Sequence, residues 1–577
     1  MSAETIARAA AVDTGEPADA ADRAEVRRIL RLAIPPAGRL WAAIGFGVLG
    51  GSSAVALLGV SAWLITRASE QPALMYLSMA IVGVRAFALG RALFRYLERL
   101  AGHDAAFRQL GTVRARLYAR LEPLAPDGLR GVRSGDLLSR LADDVDELQD
   151  LALRVLQPLV SAGIVVVASV IAVTVIQPAA GGVLLGALVA ALVAGIVANR
   201  WASGTAERRV APLRGELNDA LHDLIGNVDV LTAYGALPAA QERVRRASER
   251  LTAAVRSRAA GLGVTAGVVT LVAGAATVAG LLVSIPALDA GTIDGPGLAV
   301  IALLPLAVFE VFGAVPPAFG ALRRVHASAE RIASAVPSRV PDGIPVDAAD
   351  AASVVRSDVP EVRLEGVSAH WPGETSPVIS GVTLRLHPGE RVLLTGPTGA
   401  GKTALAHVLT RLLDHAGEYR LDGVPTCSLR QDDVRRVVGL IEQRPFLFDS
   451  DLRQNLLFAR DTATDDELLA VLERVGLRDW AAARGGLSAP VGERGALVSG
   501  GQAQRIALAR ALLAGFPVLV VDEPTANLDA AIGNAVVRDV LQTAAEDGRT
   551  VLLISHTDVP PGLVDRELRL EGGRLLP

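Results

Sequence analysis

The chain has 577 residues, 51% of them hydrophobic but only 4% aromatic, and a mean hydropathy of +0.39. An aliphatic excess of this size points to membrane spans rather than to a soluble core alone. The net charge of −4 argues against nucleic acid as the main partner, and the single cysteine, Cys427, excludes an intramolecular disulfide framework.

Residues 1–25 are rich in Ala and Asp and contain no apolar run behind a basic start, so they are expected to form a disordered tail. A short amphipathic helix around Val26–Leu32 follows, of the kind that lies along a membrane surface. Six apolar stretches, near 41–66, 73–97, 155–177, 180–199, 261–285 and 296–319, are each long enough to cross a bilayer core. The connections after the first, third and fifth are short. Those after the second and fourth are long and rich in arginine, which places them and both termini on the cytoplasmic side. The long connections read as helical continuations of the spans.

Ionisable residues stand out among these stretches. Arg91, Arg95, Arg99 and His103 are spaced four apart at the end of the second span, Arg85 lies deeper, and Glu310 lies within the sixth. Charge at membrane depth is rare and marks a functional or paired role, whereas the outer arginines can also snorkel to headgroups.

The composition changes near residue 335. Residues 336–360, with four prolines, read as a linker, and 361–577 as a soluble α/β domain. A strand, Arg391–Thr395, runs into Gly396-Pro397-Thr398-Gly399-Ala400-Gly401-Lys402-Thr403 and then a helix. This pattern is a phosphate loop. Glycines let backbone N–H groups turn onto phosphate oxygens, Lys402 serves the β- and γ-phosphates, and Thr403 offers a hydroxyl to Mg²⁺. Lys402 is the one lysine in the chain, all other basic positions being arginine. A lysine kept against that bias sits where a compact ammonium is needed. A second apolar strand, Val518–Val521, ends in Asp522-Glu523. Asp522 is expected to hold Mg²⁺, and Glu523 to polarise the attacking water as general base.

With these motifs in place, the region from Val362 to about Gly573 resembles the ABC transporter ATPases. Ser499-Gly500-Gly501-Gln502 is similar to that family's signature segment, with Val498 where leucine is usual. The resemblance implies that this segment contacts the γ-phosphate bound by a partner subunit. It further implies roles for Gln443 at the Mg²⁺ and attacking water, for His556 near the γ-phosphate, and for Asp529 in the segment Asn527-Leu528-Asp529. Trp371 falls where an aromatic ring stacks on adenine. The implied fold is an all-α, six-helix, type IV exporter membrane domain over 26–335, joined to an ABC-type P-loop nucleotide-binding domain over 361–577. The implied cofactors are ATP and Mg²⁺.

The segment from Arg95 to Arg108, the run Arg133-Ser134-Gly135-Asp136-Leu137-Leu138-Ser139-Arg140-Leu141, and Phe309-Glu310 resemble the CydC-type half of CydDC heterodimeric exporters. That family supports cytochrome bd assembly and has been connected with export of cysteine and glutathione, and with heme. The resemblance therefore implies a bacterial cytoplasmic-membrane protein with a CydD-like partner and a thiol or heme as cargo. It makes His103 a candidate ligand of heme b iron, with Arg99 beside it. Two alternatives stay open: a homodimeric drug or lipid exporter, and a heme-responsive membrane ATPase acting in assembly rather than transport.

Overall fold

A computed structural model describes residues 20–129, 140–203, 206–336, 340–348, 351, 358–525, 530–556, 559 and 562–576. The expected Asn527-Leu528-Asp529 segment, with Asp529, and most of the 133–141 run lie outside the described residues. The chain divides into two compact units. One comprises 1–118 and 134–336, the other 119–133 and 337–577.

The first unit is helical. Its helix α1, Ala20–Ala33, starts six residues before the expected Val26. Residues 20–25 therefore correct the expected tail. They are good helix formers, and Glu25 is buried with Val26, Ile29 and Ala33. Six helices among the described residues are long and apolar enough to cross a membrane. They begin with α2 (Ala37–Ser69) and α3 (Leu74–Leu121), followed by α4 (Gln157–Ile176), which is preceded by irregular helical turns from 140, and α5 (Pro178–Ser203). After the polar helices α6 (Ala206–Gly226) and α7 (Val228–Ala233) come α8 (Leu237–Asp289) and α9 (Gly295–Phe312), the latter continued by α10 (Val315–Ala335). The helices overrun the apolar stretches because polar, helix-favouring sequence continues them, as in the 48-residue α3.

Small residues allow close packing here. Gly47, Gly50 and Gly59 on α2 are buried, and a side chain at Gly59 would press on Leu304 of α9. The core between α2, α4, α5, α8 and α9 is built on Val165, Leu184, Leu188, Ala273, Ile301 and Phe309. Glu310 of α9 meets Arg91 of α3 at 2.6 Å, so its partner is Arg91 rather than the deeper Arg85. Gln157 of α4 donates to Glu98 of α3 at 3.0 Å. Toward the end of α10, Arg331 grips both oxygens of Asp144, and Ser328 donates to Glu147 at 2.8 Å.

The second unit carries two sheets. An antiparallel sheet has the order β2-β1-β4-β5, with β1 Val362–Ala369, β2 Ile379–Leu386, β4 Ala416–Leu421 and β5 Val424–Pro425. The larger sheet has the order β10-β9-β3-β8-β7-β6. Its strands β3 (Arg391–Thr395), β6 (Val438–Ile441), β7 (Val518–Asp522) and β8 (Thr550–Ile554) are mutually parallel. Strand β9 (Arg566–Glu571) runs parallel to β3, and β10 (Arg574–Leu576) closes the edge antiparallel to β9. Continuous burial of β7 and β8 fits strands covered on both faces. The expected linker is pinned to this unit, since Asp414 N–H donates to Gly343 at 2.8 Å and Gln431 N–H to Asp347 at 2.9 Å.

Candidate active site

Parallel strands place the ends that carry chemistry side by side. Strands β3, β8, β7 and β6 are neighbours, and the loops leaving their C-terminal ends supply the phosphate loop, His556, Asp522-Glu523 and Gln443 respectively. This is where open parallel sheets bind ligands.

The phosphate loop is shaped by glycine. Gly396 has φ of 152°, and a Cβ there would stand 2.1 Å from the Leu570 carbonyl oxygen. Gly401 has φ of 101°, with Ile379 Cγ2 2.7 Å from where a Cβ would be. Helix α11, Lys402–Leu409, begins there, so its free N–H groups face the loop. The ammonium of Lys402, 6% exposed, donates to Gly396 O at 2.8 Å and to Pro397 O at 3.2 Å, and lies 3.6 Å from Glu523.

Around that ammonium the expected catalytic residues converge. Thr403 Oγ1 donates to Asp522 Oδ2 at 2.8 Å. Burial pushes the Asp522 carboxyl above the usual carboxylate range, and the Thr403 hydroxyl pulls it partly back. Gln443 Nε2 donates to Glu523 Oε2 at 2.9 Å, and His556 Nδ1 stands 3.7 Å from the same oxygen. Glu523 takes a left-handed backbone, φ 44°, and its N–H donates to Ile554 O at 2.9 Å. Such strain in a non-glycine residue is kept where the surroundings fix it, as at active sites.

A hydroxyl and a carboxylate 2.8 Å apart, with an amide and a second carboxylate beside them, are hard oxygen donors of the type Mg²⁺ takes together with phosphate. Thr403, Asp522 and Gln443 fit that role. When bound, the ion neutralises phosphate charge. Glu523 is held by Gln443, with His556 beside it.

The signature segment builds a second anion-ready helix end. Ser499 caps α16, Gly500–Ala514, accepting from Gln502 N–H while Gln502 Oε1 accepts from Ser499 N–H. Among the described residues, no hydrogen bond or ion pair joins Ser499 or Gln502 to the Lys402–Glu523 group. Trp371 is half-buried, its ring edge-on to His407 of α11 at 5.6 Å. His407 Nδ1 in turn lies 2.6 Å from Asp127 Oδ2, in the 119–129 segment that folds with this unit.

Sequence reasoning missed two residues that hold the site. Buried Gln504 of α16 donates to the Gln443 carbonyl at 2.8 Å, tying the signature helix to the loop after β6. Arg510 donates to Phe446 O at 2.7 Å and to Asn455 O at 2.6 Å, bracing the same loop. Neither has a local motif. Nor does periodicity single them out, because α16 is buried on nearly every side.

His103 of α3 is exposed, its ring 5.5 Å from Phe107, with Arg99 one turn away. No group of three His, Cys, Asp or Glu residues among the described ones is arranged to hold a metal ion. A single surface imidazole is a minimal donor set for heme iron.

Comparison with known proteins agrees with this geometry. Residues 379–526 match the ABC transporter family model, and residues 29–304 the ABC transporter transmembrane region. The glutathione/L-cysteine transport system ATP-binding/permease protein CydC of Escherichia coli K12 is 30% identical, the match covering 87% of each chain. The CydC protein of Haemophilus influenzae is 29% identical over 92% of each, and the CydD protein of Bacillus subtilis 29% over 90% of each. A solved bacterial Atm1-family ABC exporter with ATP bound superposes with a TM-score of 0.77 over 94% of both chains at 21% identity, a likeness of fold.

Proposed function

From the premise that this chain belongs to the ABC transporter family, we propose that it is one half of a heterodimeric exporter that moves a low-molecular-weight thiol, glutathione or cysteine, out across a bacterial cytoplasmic membrane. The observation that carries the reading is a full-length one. A relative described as a glutathione/L-cysteine transport protein aligns over 87% of the chain, across both the membrane region and the ATPase. The convergence of Lys402, Thr403, Gln443, Asp522, Glu523 and His556 supplies the motor.

A partner is required by the chemistry. One phosphate loop and one Ser499 helix end cannot close on the same nucleotide if, as in this family, the two face each other across a head-to-tail dimer. A CydD-like half completes two composite sites, to which Asp529 contributes, and Trp371 stacks on adenine. ATP joins the two ATPase domains and hydrolysis releases them. The movement passes to the membrane through the cytoplasmic segments near 121–131 and 220–230, a two-state switch biased by γ-phosphate contacts. The arginine-rich long connections support cytoplasmic placement of both termini.

Support for cytochrome bd assembly is part of the same proposal, and it rests on the resemblance of the Arg95–Arg108 segment to the CydC type. Heme is the second reading, favoured by one feature, the exposed His103 with Arg99 beside it. ATP-dependent accumulation of labelled glutathione or cysteine in inverted vesicles, made with both halves, tests the main reading. Uptake that needs ATP supports it. Absence of uptake, with turnover intact, favours the assembly ATPase or another cargo. Activity from a single protein band favours a homodimer.

A further inference from the structure

The half-exposed ion pair between Arg91 and Glu310 is unusual for membrane spans. Measured from the helix starts at Leu74 and Gly295, a rise of about 1.5 Å per residue puts Arg91 about 26 Å and Glu310 about 22 Å along, inside a hydrocarbon slab of about 30 Å. Their side chains are 41% and 55% exposed. Arg91 lies near the inner edge of the slab, but a carboxylate open to lipid at the depth of Glu310 is costly, so the face of α9 that carries the pair is turned to water or protein.

The pairing is also incomplete. One Arg91 nitrogen, Nη2, donates to one Glu310 oxygen, Oε1. Among the described residues neither side chain makes another polar contact, so Nε and Nη1 of Arg91 and Oε2 of Glu310 remain available. A bidentate fork would have consumed them. Arg95 and Arg99 lie one and two turns on, and Arg85 lies deeper. All three are exposed and unpaired among the described residues. At about 100° per residue, positions 91, 95, 99 and 103 cover an arc of about 120°. Glu98, the other acid of this stretch, is taken up by Gln157. The face thus offers four guanidinium groups and one carboxylate.

We propose that Arg91 and Glu310 are cargo-recognition residues for a small amphoteric peptide acid, with one ammonium and two carboxylates. Glu310 Oε2 accepts from the ammonium, Arg91 donates to a carboxylate, and the remaining arginines balance the second. Glutathione has this charge pattern; cysteine, with one of each, does not fill the face. The assignment rests on the thiol-export reading and narrows it.

The test is uptake kinetics in inverted proteoliposomes containing the complex of both halves, with labelled glutathione as cargo and N-acetylglutathione and the glycine monoethyl ester as competitors. For Glu310→Gln the expected result is a KM raised about tenfold with kcat within about threefold, and loss of discrimination against the N-acetyl compound. For Arg91→Gln the same KM rise is expected, with loss of discrimination against an ester. Unchanged KM and unchanged preference in both variants overturn the assignment. Restoration of wild-type KM and preference by the exchanged pair Arg91→Glu/Glu310→Arg also overturns it, because the pair is then a strut. A wild-type complex that carries neither glutathione nor cysteine overturns the functional reading and this assignment with it. A wild type that carries glutathione beside unaffected variants overturns the assignment alone.

Discussion

The candidate sites of the two units treat charge in opposite ways. In the ATPase unit polar side chains turn inward on one another: Lys402, Glu523, Asp522, Gln443 and His556 form one connected group over buried parallel strands. In the membrane unit Arg91 and Glu310 pair at the surface with hydrogen-bonding capacity to spare, and Arg85, Arg95 and Arg99 stand exposed. The first arrangement is preorganised for one ligand geometry. The second is open and is completed by what it faces. A motor must be exact in its chemistry, whereas a cargo path must release what it holds.

If the inward cluster is the motor, its general base has the largest single effect. Glu523→Gln is expected to cut turnover by about 10²–10⁴-fold while ATP stays bound, as read by phosphate release and retained nucleotide. Near-normal hydrolysis in both composite sites would remove Glu523 from its role. Next comes the shape of the loop. Gly396→Ala puts a methyl group 2.1 Å from the Leu570 carbonyl. It should cost about 1–3 kcal/mol, seen as a lower melting temperature together with lost ATP affinity. A variant with unchanged melting and affinity would show that the loop relaxes freely. Gln504→Ala sharpens the contrast, because it lies outside the nucleotide contacts. Releasing the Gln443 carbonyl should lower kcat by about tenfold, and because Gln504 is buried it should also cost about 1 kcal/mol of stability. An unaltered kcat would mean that the loop after β6 holds its place without it. The smallest effect belongs to an exposed pair in the membrane unit. Arg67→Ala removes the contact with Glu70 at 2.5 Å and should change stability by less than about 0.5 kcal/mol. A larger loss would mean that the pair is shielded from water in the assembled complex.

What could be read in advance depended on range. The phosphate loop, Asp522-Glu523 and the Ser499 cap are local, because a few consecutive residues set the turn, the φ angles and the helix start. The six spans were legible as apolar runs, and their helical continuation into the long connections as well, as α3 shows by running through polar residues to Leu121. The start of α1 is hidden in the sequence because Ala and Asp suit a disordered tail as well as a helix, and it is the burial of Glu25 and Val26 that favours the helix. Long-range pairs escaped entirely. Nothing near Gln504 announces Gln443, and nothing near Arg331 announces Asp144, 187 positions away. Glu310 was recognisable as a group needing an explanation, yet only the packing of α3 on its neighbours selects Arg91 over Arg85.

The central claim is that the ammonium of Lys402, inside a ring of backbone amides, grips the nucleotide that powers the membrane half. Titration of Mg-ATP into the purified two-subunit complex, with Glu523→Gln to stop hydrolysis and with or without Lys402→Ala, tests it most directly. The account predicts tight binding when the lysine is present and loss of binding at this chain's site when it is replaced. Equal affinity in the two preparations would contradict it.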